Sequence, residues 1–392
     1  MKKMAIIFSM LLLLNFILIS KSDQLTDLID SLITGASKDK INNIINYLRN
    51  LLNGILDLSY QELYNLVEVL NLLNSMGIKV TEEKLKLTAQ NVVLINGLTN
   101  GIWTAKLGYF SLLPDEYQKR LSGVTDIEME TITGIQIIRN RRQTSNSTKK
   151  CNYTTEFDVR DKWPKCSPFL NHVPDQAFCG CCWAMSTASA YTDRHCIERD
   201  KMGLSTLRTA NTIFSSYELL SCTSEYTSNS SKYKSTYDCR GGSPYKAWEL
   251  IKVNGICTGS DYLGEGGCKP YPFGPKNSFP ILKDCYNKCT NKTWGVPYDA
   301  DRKNYVTSTG TLKGEQAIKD ELNKNGPVVA IYNVYKDFYF YASGEDGVYF
   351  VITLSSKTCT NIALTDHYLP VWDIWDWGDK NNFLRVYICS KT

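Results

Sequence analysis

The sequence predicts an α+β protein, with a helical front followed by a disulfide-stapled unit of mixed helices and strands. Two patterns predict it. In the cysteine-free stretch 23–88, Leu25, Leu28, Ile29, Leu32 and Ile33 recur at helical spacing, as do Ile41, Ile44, Ile45, Leu48, Leu51 and Leu52. All 14 cysteines lie at or beyond Cys151, where 328–334 and 347–354 alternate as strands do. With 43% hydrophobic residues the chain can bury real cores, which excludes disorder. A formal net charge of +4 gives no case for a nucleic-acid partner. Fourteen cysteines point instead to an oxidising compartment.

The elements follow in chain order. Lys2 and Lys3 precede an apolar run from Ala5 to Ile19, and Ser20 and Ser22 supply small residues for cleavage. Residues 1–22 therefore read as a secretory signal peptide, and no later run reaches spanning length. Residues 23–89 read as two or three amphipathic helices, stopping near Gly35, Gly54 and Gly77. Residues 90–150 shift toward glycine and aromatics and then toward polar residues. They hold a basic cluster, Arg139-Asn140-Arg141-Arg142, which is either a solvated charge run or a convertase site. Residues 151–392 form the cysteine-rich unit. Four sequons, at Asn146, Asn152, Asn229 and Asn291, fit glycosylation in the secretory lumen.

The chemistry concentrates at Asp175-Gln176-Ala177-Phe178-Cys179-Gly180-Cys181-Cys182-Trp183-Ala184-Met185. A glycine turn leads into a breaker-free run expected to be helical. A cysteine at that helix start gains a thiolate-stabilising field. Gln176 lies where its amide could donate to an oxyanion beside the sulfur. Two alternatives stay open on these residues alone. Cys179 and Cys182 could share zinc with Cys285 and Cys289, or could form a redox pair.

This stretch resembles the active-site segment of the papain-like cysteine peptidases, in particular the cathepsin B branch. The resemblance makes Cys182 the nucleophile and Gln176 the oxyanion-hole residue. The departures are Cys181 where Ser or Ala is usual, Ala177 where Gly is usual, and Met185 where Phe is usual. Phe157 to Cys166 resembles the start of a mature enzyme of that branch. Cys239-Arg240-Gly241-Gly242-Ser243-Pro244 resembles the segment that pairs with substrate backbone, although alone it reads as a turn. Asn325 to Phe338 is similar to part of the second lobe, and Asn100 to Ala105 to the inhibitory propeptide. The implied fold is papain-like, with a helical L lobe and an antiparallel, barrel-like R lobe behind a mainly helical propeptide.

A thiol nucleophile needs a base, and the chain has three histidines. His172 is too near in sequence and His195 lies more than three turns along the nucleophile helix, which leaves His367. The resemblance agrees. The family orients this histidine with an Asn in an Asn-Ser-Trp motif. Here His367 is followed almost directly by Trp377-Gly378-Asp379, which resembles the segment beyond that motif and would make Trp377 substrate-binding. About one strand and a turn are missing. The expectation is therefore either a cysteine endopeptidase with impaired activity or an inactive homologue that binds peptides or inhibitors. An exon missing from the sequence is a third explanation of the gap.

The resemblance further implies the disulfides Cys166–Cys196, Cys179–Cys239, Cys222–Cys285 and Cys268–Cys289. Cys151, Cys181, Cys257, Cys359 and Cys389 stay unassigned. Between Cys268 and Cys285 there is no histidine, so the carboxylate-holding residues of the branch's occluding loop are absent and dipeptidyl carboxypeptidase action is not expected. The implied partners are protein or peptide substrates, the chain's own propeptide as an intramolecular inhibitor, and cystatin-type inhibitors. No metal or organic cofactor is implied. The implied location is the secretory pathway, ending in a lysosome or outside the cell.

Overall fold

Burial of the apolar stripes organises the front of the chain. In a computed structural model, α1 (Gln24–Ile33), α2 (Lys38–Leu52), α3 (Tyr60–Ser75) and α4 (Glu82–Thr99) follow one another. The structure describes residues 23–33, 35–99, 103–123, 157–223, 238–264, 266–274, 285–312, 315–333, 336–344 and 386–391. The chain divides into two compact units, Met1–Asp115 with Lys336–Gly344, and Glu116–Tyr335 with Glu345–Thr392. The signal-peptide stretch and the basic linker lie outside the described residues.

In the first unit Leu25, Ile44, Leu48, Leu63, Leu73 and Leu85 are almost wholly buried. Each such side chain stabilises the fold by roughly 1.5–3 kcal/mol. Capping sets the boundaries. The Ser37 side chain accepts from Lys40 N, and Ser59 and Glu62 form a capping box. Gly54 and Gly77 take φ of 79° just past α2 and α3, a conformation that costs glycine little. Asp23 Oδ2 accepts from Glu82 N at 2.7 Å, which ties the start of α1 to the start of α4. Trp103–Ala105 pairs antiparallel with Tyr341–Gly344 in this same unit. Four helices thus replace the expected two or three. The apolar residues of α3 cover more than one face, which weakens the periodicity that separates helices in sequence.

The second unit is built around the nucleophile helix, Cys182–Lys201. Its first half is buried on nearly every side, from Cys182 to Ala188. Two buried hydroxyls on it are satisfied locally, Thr187 Oγ1 donating to Trp183 O and Thr192 Oγ1 to Ala188 O, whereas Ser186 Oγ is buried with no partner among the described residues. Helices Ser216–Cys222 and Pro244–Asn254 pack with it, and Phe214, Tyr217, Leu220, Tyr271 and Phe273 complete the core. Arg194 donates to Pro327 O at 2.7 Å and pairs with Glu321 at 2.8 Å, anchoring the turn before strand Val328–Asn333.

That strand pairs in parallel with Val386–Lys391. The expected antiparallel lobe draws on 347–354 and later residues, which lie outside the described residues except for this strand. Disulfides join Cys166 to Cys196, Cys179 to Cys239, Cys222 to Cys285 and Cys268 to Cys289. These are the pairs that the resemblance implies. Cys181 and Cys257 are buried free thiols, and the backbone of Cys389 pairs with Ile331. Cys151 and Cys359 lie outside the described residues. Among the described residues no helix is long and apolar enough to cross a membrane.

Candidate active site

The loop 175–181 delivers Cys182 to its helix. Ala177 takes φ of 50°, a left-handed conformation that strains any residue with a Cβ. Its N–H donates to Asp175 Oδ1 at 2.7 Å. Cys179 is fixed by its bridge to Cys239, and Gly180 N donates to Cys239 O at 2.8 Å. Cys181 is the N-cap of the helix; its side chain makes no cap bond, its carbonyl accepts from Ala184 N and Met185 N at 2.9 Å, and Cys182 sits at the positive end of the helix dipole. That field favours a thiolate. Cys182 is disulfide-bonded in this structure, so its nucleophilic form is reached by reduction.

The stretch Glu116–Gly123 belongs to the same compact unit and crosses this site. Tyr117 packs edge-on against Phe178 with ring centroids 5.0 Å apart, and Leu121 is buried. Gln176 is itself buried. Its Nε2 donates to Leu121 O at 3.0 Å and to Cys179 O at 3.1 Å, so the proposed oxyanion donor is occupied by a peptide carbonyl. Gly242 N donates to Gly123 O at 2.9 Å, a strand-like contact of the kind peptides make with exposed backbone. At Gly123 a Cβ would fall 2.9 Å from Cys182 Sγ and 2.5 Å from Gly180 O. Only a residue without a side chain passes there. Gly242 is tightly placed for a similar reason, since a Cβ would run into the Trp183 ring. Gly241 takes φ of 133° in the turn that exposes the Gly242 N–H.

The described histidines have other surroundings. His172 Nε2 lies 2.8 Å from Asp261 Oδ2. His195 stacks on Tyr305 and meets Phe214 edge-on, and burial lowers its pKa to about 4, so it stays neutral. His367 and Trp377 lie outside the described residues, as do Asn146, Asn152 and Asn229. Asn291 is described. Its Oδ1 accepts from Thr293 N and Oγ1, and its Nδ2 donates to Gly267 O at 3.1 Å.

The zinc and redox-pair alternatives fail on a positive observation. Cys179, Cys285 and Cys289 are each consumed in a disulfide with a different partner. Cys257, Cys268 and Asp301 gather their ligand atoms within 4.8 Å, but Cys268 is bridged to Cys289. Both Asp301 oxygens are also taken, by Thr258 and Trp294. Where an occluding loop would begin, Lys269 is buried and paired with Glu218.

Sequence reasoning missed two participants. The 121–123 crossing had no local signature, because Leu-Ser-Gly reads as an ordinary turn. Tyr271, whose hydroxyl reaches the Gln176 backbone, sits in a segment that stood out only for lacking histidine.

A helix-borne cysteine, a glutamine amide beside it and a peptide strand laid across both define a thiol peptidase of the two-lobe class, in its proform. The chain belongs to the papain family: the profile described as "Papain family cysteine protease" matches residues 153–382. Within that family it falls in the cathepsin B branch. It is 34% identical over 252 residues to Cathepsin B-like cysteine proteinase 4 of Caenorhabditis elegans, covering 59% of this chain and 69% of the relative. To Cathepsin B-like cysteine proteinase 6 of the same organism it is 27% identical over 341 residues, covering 79% and 81%. Among solved structures it is similar to procathepsin B S9 of Trypanosoma congolense, with 28% identity, 65% and 75% coverage and a TM-score of 0.43.

Proposed function

We propose that this chain is the zymogen of a cysteine endopeptidase of the secretory pathway, held latent by its own segment 121–123. The observation that carries this reading is the crossing itself. Leu121 O takes the Gln176 amide, Gly123 O takes the Gly242 N–H, and Gly123 lies against Cys182. A substrate would need those same groups.

Once the segment is cleared and Cys182 is reduced, the thiolate attacks a peptide carbonyl. The developing oxyanion accepts from Gln176 Nε2. His367 takes the thiol proton and returns it to the leaving amine, giving an acyl-enzyme that water hydrolyses. Gly241 and Gly242 hold the substrate backbone, and Trp377 is the third substrate-binding residue of this reading. Without occluding-loop histidines the action is endopeptidic. Processing at Arg139–Arg142, glycosylation at Asn146, Asn152, Asn229 and Asn291, and cystatin-type inhibitors belong to the same reading. So does a lysosomal or extracellular destination.

A second reading is an inactive, peptide-binding homologue. It is favoured by the disulfide on Cys182 and by the absence of an Asn-Ser-Trp motif after His367. One experiment separates the two. The full chain is expressed in a secretory host, reduced at acid pH and exposed to an epoxide thiol trap beside a Cys182→Ala control. Labelling at Cys182 with peptide hydrolysis is expected. A folded, processed chain that takes up no label is the inactive homologue.

A further inference from the structure

The oxyanion-hole glutamine is held in an unusual way, and the cysteine next to the nucleophile explains it. Gln176 Oε1 is buried and makes no hydrogen bond among the described residues. Among the described residues nothing on its acceptor side orients the amide. Of the two carbonyls that its Nε2 bonds, one is Leu121 O, which leaves with the inhibitory segment. What remains to aim the side chain is Cys179 O, at 3.1 Å from Nε2, and the Gln176 backbone itself. That backbone sits beside a strained residue, since Ala177 has φ of 50°.

The Gln176–Ala177 peptide is gripped at both ends. Its N–H donates to Asp175 Oδ1 at 2.7 Å. Its carbonyl accepts from Tyr271 Oη at 2.8 Å, and more weakly from Cys179 N at 3.3 Å. A tyrosine hydroxyl has one proton, and a carbonyl can only accept. The Tyr271 proton is therefore committed to Gln176. Cys181 Sγ lies 3.1 Å from the same Tyr271 oxygen, so the thiol must be the donor there. The relay runs Cys181 S–H to Tyr271 O–H to Gln176 C=O. Cys181 and Tyr271 are both buried.

We infer that Cys181 and Tyr271 are a positioning pair: a protonated thiol and a phenol that clamp the Gln176 peptide and so aim the oxyanion-hole amide. The surroundings agree with a thiol that keeps its proton, because burial pushes Cys181 up to about 12. A second thiol beside the nucleophile is thus a hydrogen-bond donor, not a competing nucleophile. A serine there could donate in the same way, whereas an alanine could not.

This inference rests on the peptidase reading, and its test keeps the two apart. The full chain and its Tyr271→Phe, Cys181→Ala and Cys181→Ser variants are activated by reduction at acid pH. Each is titrated with the epoxide so that kcat refers to competent sites. Peptide hydrolysis should fall about tenfold in kcat at unchanged KM for Tyr271→Phe and for Cys181→Ala, the scale expected when a catalytic group is misaimed. Cys181→Ser should restore kcat to within about twofold, because the hydroxyl replaces the donor. Epoxide alkylation builds no tetrahedral oxyanion on the attacked carbon: the C–S bond forms as the ring C–O bond breaks, and the alkoxide left on the neighbouring carbon takes up a proton, so the alkylation rate should not follow kcat down in any variant.

Three outcomes overturn the inference. Cys181→Ala could keep the parent kcat, Cys181→Ser could fall as far as Cys181→Ala, or alkylation and hydrolysis could drop together. If Tyr271→Phe does not fold, the two Cys181 variants decide alone. A parent chain that neither cleaves peptide nor takes up the epoxide sinks the peptidase reading, and the positioning role with it.

Discussion

The two compact units hold themselves together by different means. The front, α1 to α4, has no cysteine and relies on leucine and isoleucine stripes finished by serine caps. The second unit buries polar and ionic groups, including Gln176, Asp193, Glu218, Lys269 and Asp301, and fastens its loops with disulfides. Burying apolar surface is cheap to specify and tolerant of change. Burying hydrogen-bonded polar groups demands that each partner be placed, and crosslinks lower the entropy of the alternatives. The front can therefore be built from a simple sequence, whereas the catalytic unit cannot.

The sharpest way to break this contrast is to cut a crosslink. Cys179→Ser with Cys239→Ser opens a loop of 60 residues. It should cost the second unit about 4 kcal/mol on the loop-entropy scale and leave the front unchanged. Denaturant unfolding followed by hydrogen exchange in each unit reads this, and equal loss in both would dissolve the distinction. A slightly smaller effect is expected from Leu48→Ala, at a wholly buried position of α2. It should cost about 3 kcal/mol in the front alone, visible as faster exchange across α1 to α4.

The smallest effect concerns acid. Burial lowers the pKa of His195 from 6.5 to about 4. Above pH 6.5 the imidazole is neutral in folded and unfolded chains alike, and its contribution to stability is complete. As pH falls from 6.5 toward 4 the unfolded chain takes up the proton first, so stability is lost across that window. His195→Phe should flatten the fall in Tm of the second unit between pH 7 and pH 5. An unchanged slope would mean that another group governs it.

How much of this was legible in the sequence depends on the distance over which each contact acts. Helix α2 could be read from Ile44, Ile45 and Leu48, because its stripe and its Ser37 cap are local. The nucleophile helix was legible for the same reason. Its glycine turn precedes the observed span Cys182–Lys201, and the unbroken run from Trp183 lies within it. The crossing at Leu121 was not, since Gln176 meets it across 55 positions. Nor was the role of Tyr271, which lies 95 positions from Gln176. The parallel pairing of Val328–Asn333 with Val386–Lys391 is another such case. Periodicity says which face of a strand is buried but not which strand lies beside it. The disulfide pairs came from family likeness, because spacing alone cannot choose among connectivities.

Gly123 has a consequence for ligand design. The residue over the sulfur accepts a backbone bond from Gly242 N and has no room for a side chain. Any peptide mimic that follows the same path inherits that rule. Its selectivity must come from flanking positions, such as those of the buried Tyr117 and Leu121, while the centre stays bare.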